Sequence, residues 1–154
     1  MIGPVFVDTN VVVYRHATSE PAKQARADDW YKLLWRLRIG RLSFQVLQEA
    51  YSTLTRKLRP AVPDSDAQAI IRELTAWNPA PTNIAMIERA WVLQTRYMIS
   101  WWDALIVAAA QQSECAILLT EDLQHGQVFG DVRVVNPFAS PERAPAQIIG
   151  AQDP

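Results

Sequence analysis

The stretch WWDALIVAAAQQSECAILLTED, residues 101–122, decides the fold of this 154-residue chain. Its first part is apolar on nearly every side through residues 104–110, which predicts a helix that is buried rather than lying on the surface. Ser100 stands where the cap of that helix is expected. The continuous apolar run at residues 116–119 is typical of a central parallel strand covered on both faces. A buried helix that leads into a buried strand predicts an α/β domain.

Shorter apolar runs on either side extend this pattern along the chain. Further strands are predicted at residues 5–7, 41–44 and 132–135, and further helices at 11–16, 21–37, 46–58, 64–77 and 83–97. The Pro-rich NPAP at residues 78–81 separates two of these helices and leaves room for a short strand. We therefore predict a three-layer α/β/α sandwich around a four- to five-stranded parallel sheet. Residues 1–138 form this one domain, and a Pro/Ala-rich tail, residues 139–154, is expected to be loosely attached.

The composition indicates an ordinary globular domain, with 49% hydrophobic and 20% charged residues. The lone Cys115 cannot form an internal disulfide and is expected to be buried and reduced. The opening MIGPVFVDTN has neither the basic nor the long apolar region of a signal peptide. The apolar stretch Ala104–Ala110 is too short to span a bilayer. We expect a cytoplasmic protein without a membrane segment.

Charge is distributed unevenly along the sequence. The formal net charge is −1, but ten basic and four acidic residues fall between Arg15 and Arg59, a local net of +6. This region could hold phosphates, or its side chains could merely solvate helices. The aromatic series Trp30, Tyr31 and Trp35 could stack on bases or seat a partner helix if exposed, or could pack in the core.

Four separated carboxylates are expected to meet at one edge of the sheet. Asp8 follows the first strand and Asp122 follows the strand that ends near residue 119, so both lie at the carboxyl edge where ligands bind. Asp103 lies in the first turn of a helix whose N-terminus faces the same edge. Glu49 lies just over one turn into the helix after the second strand, from where it could reach inward.

Clustered carboxylates repel one another, and a divalent cation is the simplest way to neutralise them. No Cys partners the cluster, and neither His16 nor His125 has the spacing of a zinc site, so oxygen ligation of Mg²⁺ or Mn²⁺ fits best. Such an ion can polarise a phosphodiester and generate a hydroxide nucleophile. His125 could be a general acid, but we interpret it as a loop residue.

Each acid also has a purely structural interpretation. Asp8 could cap the first helix, Asp122 could serve a turn, and Glu49 could be an ordinary solvated helical residue. Asp103 stands three residues after Ser100, as in a capping box, so it could combine a capping role with metal binding.

Several motifs together resemble those of the PIN-domain family, especially VapC-type toxins. They are VFVDTN (5–10), LQE (47–49), SWWDALIVAAA (100–110), LLTEDLQHGQ (118–127) and VRVVNPF (132–138). The likeness runs from about Val5 to Phe138, nearly the whole chain. The resemblance implies a set of metal-binding carboxylates and nearby polar positions: Asp8, Glu49, Asp103 and Asp122, with Asn10 and Thr120 beside them. Some relatives carry a further acid near the last one, and Glu121 is the neighbour here.

The resemblance also implies a function. The family cleaves RNA with Mg²⁺ or Mn²⁺, so we expect an endoribonuclease that attacks phosphodiester bonds with metal-activated water. It further implies that the chain is the toxin of a type II toxin-antitoxin pair, with a small antitoxin partner, and that it forms a homodimer. A housekeeping RNA-processing nuclease and a non-catalytic RNA- or protein-binding scaffold are the alternatives. A phosphotransfer protein is disfavoured, because no Lys follows Lys57 and Asn10 stands where a phosphatase needs a second Asp.

Overall fold

The computed structural model describes residues 3–150 of the chain. One sheet of five strands has the order β2-β1-β3-β5-β4. The β1/β2, β1/β3 and β3/β5 pairs are parallel and the β4/β5 pair is antiparallel. The strands are β1 (Val5–Val7), β2 (Gly40–Arg41), β3 (Ile117–Leu119), β4 (Val128–Phe129) and β5 (Val132–Val135).

Helices flank this sheet in the described part of the chain, so the predicted α/β/α sandwich is confirmed, with one antiparallel edge strand. The helices are α1 (Thr9–Tyr14), α2 (Pro21–Leu37), α3 (Phe44–Ser52), α4 (Asp64–Leu74), α5 (Ile84–Tyr97), α6 (Trp101–Gln112) and α7 (Pro145–Gly150). A π-helical turn, Thr53–Lys57, extends α3, and a 3₁₀ turn, Thr75–Trp77, extends α4. No helix in residues 3–150 is both long and apolar enough to cross a membrane.

Helix α1 begins two residues earlier than predicted because Asp8 caps it. The Asp8 side chain accepts a hydrogen bond from the Thr9 N–H and supplies the N-cap. The predicted strand at residues 41–44 differs more. Ser43 caps α3 by accepting a hydrogen bond from the Val46 N–H, so Phe44 is already helical and β2 stops at Arg41. A single bridge between Ser43 and Ala80 is what remains of the predicted short strand in the Pro-rich segment.

The core joins α6 and the sheet to buried residues of α2, α3 and α5. Residues Ala104–Ala110 are all buried, as are β1 and β3, in agreement with the apolar pattern of the sequence. Cys115 is a buried free thiol, and burial raises its pKa to about 12, which keeps it protonated and inert.

The aromatic residues of α2 belong to the core rather than to an exposed interface. Trp30 is fully buried, and Tyr31 and Trp35 pack against Trp77, with ring centroids 5.1 and 5.2 Å away. Gly40 lies under the same Trp77 ring, where an added Cβ would come within 2.6 Å of it. Of the two interpretations left open for these aromatic residues, the structure supports packing in the core.

The segment after residue 138 also differs from its prediction. Helix α7 packs on α2 and buries Pro145, Ile148 and Ile149. Arg26 on α2 donates hydrogen bonds to the carbonyls of Pro137 (2.7 Å) and Ser140 (2.9 Å). This tail is thus attached through residue 150, because two buried isoleucines outweigh its Pro/Ala-rich composition; residues 151–154 lie outside the described range.

Candidate active site

Asp8 follows β1 and is buried at the carboxyl edge of the sheet, with 5% of the residue exposed. Its Oδ1 accepts the Thr9 N–H at 2.7 Å, and its Oδ2 accepts the Thr120 hydroxyl at 2.8 Å. Burial raises the pKa of Asp8 to about 7, opposed by these two hydrogen bonds and reinforced by the charges of Asp122 and Glu49. Asp8 therefore holds its proton up to neutral pH unless a cation compensates its charge.

Asn10 and Thr120 join the ends of β1 and β3. The Asn10 Nδ2 donates to Thr120 Oγ1 at 3.1 Å and to Asp122 Oδ2 at 3.0 Å. Thr120 Oγ1 also accepts the Asp122 N–H at 3.1 Å. The parallel register pairs Val7 with Leu119, which puts the residues that follow each strand side by side. Sequence position after neighbouring strands thus places Asp8, Asn10, Thr120 and Asp122 together.

Glu49 on α3 is directed by Thr9. The Thr9 hydroxyl donates to Glu49 Oε2 at 3.0 Å, and Gln45 Nε2 donates to Glu49 Oε1 at 2.9 Å. Sequence reasoning missed Thr9 as a site residue. Its position between Asp8 and Asn10, at the start of α1, was the available signal.

Asp103 keeps its capping geometry and also senses the charges of Asp122 and Glu49. The Ser100 hydroxyl accepts the Asp103 N–H at 3.1 Å, as a helix cap does. Partial burial raises the pKa of Asp103, the bond with Ser100 lowers it, and the charges of Asp122 and Glu49 raise it further. A capping role and metal binding are therefore compatible at Asp103.

Glu121 is engaged away from Asp8. It pairs with Lys23 at 2.9 Å and accepts the Tyr14 hydroxyl at 2.7 Å. Lys23 also lies over the Tyr14 and Phe138 rings, 4.5 and 5.2 Å from their centroids. The hydrogen bond to Glu121 is the main cause of the raised pKa of Tyr14. Nothing in the sequence pattern indicated this cluster.

His125 is an exposed loop residue, in line with its interpretation. Its Nδ1 accepts the Asn136 N–H at 3.0 Å and so connects two loops.

A cavity of about 590 Å³ opens beside the acids. Lys57, in the π-helical turn, is the cation among its lining residues. The lining of the cavity thus combines several carboxylates with one positive charge. Its lining consists of Thr9, Asn10, Val13, Tyr14, Glu49, Ser52, Thr53, Lys57, Glu121 and Asp122.

The donor chemistry suits a hard divalent cation, although the side chains are not gathered into one ligand set. Within residues 3–150, no group of three or more Asp, Glu, His or Cys side chains is close enough to hold a metal ion. The available donors are carboxylate, amide and hydroxyl oxygens, which Mg²⁺ and Mn²⁺ prefer. Burial is the main cause of the raised pKa values of Asp8 and Asp103, and the neighbouring acids raise them further, so a cation bound beside them would favour their charged forms.

Comparisons with known proteins agree with this fold. The family model described as "PIN domain" matches residues 5–129. Among solved structures, a chain of a toxin-antitoxin complex from Klebsiella pneumoniae is similar, with a TM-score of 0.63 and 18% identity. The alignment covers 87% of this chain and 98% of that one. A search of curated proteins found no match.

Proposed function

Because the chain belongs to the PIN-domain family, we propose that it is a Mg²⁺- or Mn²⁺-dependent endoribonuclease and the toxin of a type II toxin-antitoxin pair. The observation that carries the proposal is the burial of Asp8 beside Thr120 and Asp122, at the carboxyl edge where parallel sheets bind ligands. A buried carboxylate with a raised pKa and acidic neighbours destabilises the fold when it is ionised, but it suits a site that binds a cation.

We assign four side chains to metal binding: Asp8, Glu49, Asp103 and Asp122. When bound, the ion would act as a Lewis acid that activates water and stabilises negative charge on the scissile phosphate. Asn10 and Thr120 hold Asp8 and Asp122 in place by the hydrogen bonds described above. Thr9 does the same for Glu49. Glu121 has a structural role in this scheme, because Lys23 already compensates its charge.

The structure narrows the candidates for RNA binding within the basic region. Arg26 bonds backbone carbonyls, while Arg15, Lys23 and Lys32 pair with acids. Lys57 instead lines the cavity that holds Glu49 and Asp122. We therefore assign Lys57 to a substrate phosphate next to the scissile one.

The proposed partners are a small cognate antitoxin and a second copy of the chain. The structural neighbour from Klebsiella pneumoniae is described as a toxin-antitoxin complex, which supports the first of these. An RNA substrate and a reduced, buried Cys115 fit the cytoplasm as the place of action.

Single substitutions test the nuclease proposal. Asp8→Asn and Asp103→Asn should each reduce Mn²⁺-dependent cleavage of a defined RNA by at least about 100-fold, because they remove charge from the ligand set. Asp64→Asn, at the exposed first turn of α4, is the matched control and should cleave normally. Undiminished cleavage by either site variant would overturn the assignment. Calorimetry with Mn²⁺ alone separates an enzyme from a scaffold, which would bind RNA but not the ion.

A further inference from the structure

A second cavity, of about 520 Å³, lies between α2 and the segment that leads into α7. It shares no lining residue with the cavity beside the acids. Its volume falls within the range of about 300 to 1,000 Å³ that is usual for small-molecule sites. On the α2 side, lining residues recur at steps of three, four and three, as expected for one face of a helix: Arg26, Asp29, Leu33 and Arg36.

Arg26 is the buried cation of this cavity, with 8% of the residue exposed. Its Nε and Nη2 donate to the carbonyls of Pro137 and Ser140, which fixes the guanidinium group. Its Nη1 donates to no residue in the described part of the chain. Burial lowers the pKa of Arg26, and the charges of Asp29 and Glu142 oppose that effect only in part. The guanidinium group is thus held in place with a donor left for a ligand.

The charge of the lining is positive. Arg26, Arg36 and Arg143 form no ion pair with a described residue, whereas Lys32 is paired with an acid of α2 at 2.7 Å. Asp29 is the acid of the lining, so three guanidinium groups and one carboxylate leave a net charge of about +2. A phosphate monoester carries about −1.5 to −2 at pH 7 and matches this charge, whereas a single carboxylate does not. Guanidinium groups also bind phosphate oxygens through paired hydrogen bonds.

The rest of the lining indicates which molecule carries the phosphate. Leu33, Pro141 and Pro145 provide apolar walls, so the ligand extends beyond its phosphate group. Asp29 repels a phosphate but accepts a hydrogen bond from a hydroxyl group. None of the described residues that line the cavity is aromatic, which disfavours single-stranded RNA, whose bases stack on aromatic side chains.

We propose that this cavity binds small phosphate monoesters that carry hydroxyl groups, the class of sugar phosphates and nucleotides. The arginines bind the phosphate, and Asp29 binds a hydroxyl group. The ligand contacts both α2 and the segment before α7, so it stabilises the folded chain when bound. None of these residues is assigned to the metal or to the RNA, so the site and the proposed nuclease can fail independently.

Calorimetry of the full chain tests the site. A chelator is present throughout, so that no cation can bridge phosphate to the acids of the other cavity. Adenosine monophosphate and ribose phosphate should each bind at one site, at least about tenfold more tightly than inorganic phosphate. Adenosine and ribose should not bind. Absence of binding by both esters would overturn the proposal, as would inorganic phosphate that binds as tightly as they do.

Charge reversal tests the location. Arg36→Glu and Arg143→Glu change exposed residues and should each weaken binding of adenosine monophosphate by roughly tenfold or more. Arg72→Glu, on α4 and outside the cavity, is the matched control and should bind normally. Circular dichroism checks that each variant is folded. Unchanged binding in both cavity variants would overturn the proposal.

Asp29→Ala tests the hydroxyl contact. The variant should prefer ribose phosphate over inorganic phosphate by about threefold less than the original chain, because it loses the acceptor and the repulsion of the free ion. An unchanged preference would overturn the role of Asp29. A non-cleavable RNA that loses as much affinity as the nucleotide in Arg36→Glu and Arg143→Glu would assign the cavity to the RNA strand and would overturn the proposed ligand.

Discussion

At the scale of single residues, burial disfavours the charge of Asp8 by more than its hydrogen bonds stabilise it. Thr9 and Thr120 donate hydrogen bonds to it, yet burial outweighs them and moves its pKa from 3.8 to about 7. The folded, metal-free protein therefore binds a proton at pH 5 that the unfolded chain has released. The contribution of Asp8 to the unfolding free energy should fall as pH rises from about 4 to 7 and level off above that range.

Asp8→Asn removes this pH dependence of the unfolding free energy and should stabilise the metal-free protein. At pH 8 we expect the unfolding free energy of the variant to exceed that of the original chain by about 1–3 kcal/mol, since no charge is buried. Urea unfolding at pH 5, 6, 7 and 8 with a chelator present measures the difference. An advantage that is no larger at pH 8 than at pH 5 would contradict the raised pKa.

The site could be predicted in part because position along a strand determines position at the sheet edge. Asp8 and Asp122 follow paired strands, and Asp103 lies in the first turn of a helix whose N-terminus was expected at the same edge. The contact of Thr9 with Glu49 spans 40 positions, and that of Lys23 with Glu121 spans 98. Such pairs depend on tertiary packing, which no local pattern encodes, so the engagement of Glu121 could not be predicted.

At the scale of elements, the ends of a helix or strand can be predicted where one local sequence signal dominates. Helix α2 has its predicted bounds, because Pro21 starts it and Arg38 ends it in the left-handed conformation. The end of β2 was mispredicted because the Ser43 cap overrides the strand preference of its neighbours. The tail was mispredicted for another reason. Composition suggested loose attachment, but two buried isoleucines suffice to dock a six-residue helix.

Helix α7 should therefore contribute to stability. Ile149→Ala removes a side chain that is 2% exposed and should lower the unfolding free energy by about 2–4 kcal/mol. Glu142→Ala, at an exposed position just before the helix, is the control and should lie within about 0.5 kcal/mol of the original chain. Denaturant unfolding followed by tryptophan fluorescence measures both. An Ile149→Ala variant as stable as the control would mean that the tail is not docked.

At the scale of the whole molecule, the sequence shows that basic residues are concentrated in one region. It does not show what that region binds. The basic region carries a net +6, and the structure shows several of its members engaged with acids or carbonyls. Lys57 is the member that shares a cavity with Glu49 and Asp122. RNA and cation should thus meet in one cavity, bound by opposite charges.

Lys57→Glu tests whether Lys57 binds the RNA while the carboxylates bind the cation. The variant should bind a non-cleavable RNA about fivefold to tenfold more weakly, and its affinity should depend less steeply on salt, by about one unit of the logarithmic slope. Mn²⁺ affinity should not weaken, because Lys57 is not a metal ligand in the proposal. Fluorescence anisotropy at several salt concentrations measures the RNA affinity and its salt slope. Arg72→Glu, on α4, is the control. Equal losses in the two variants would place the RNA elsewhere.

The strand order has a consequence for the time course of synthesis. Strand β3 lies at the middle of the sheet, yet it is translated only at residues 117–119, and Asp122 follows it. A growing chain on the ribosome has Asp8 and Glu49 long before it has β3 and the Asp122 that follows it. The proposed ribonuclease therefore stays inactive beside its own messenger and ribosome until most of its length has been made.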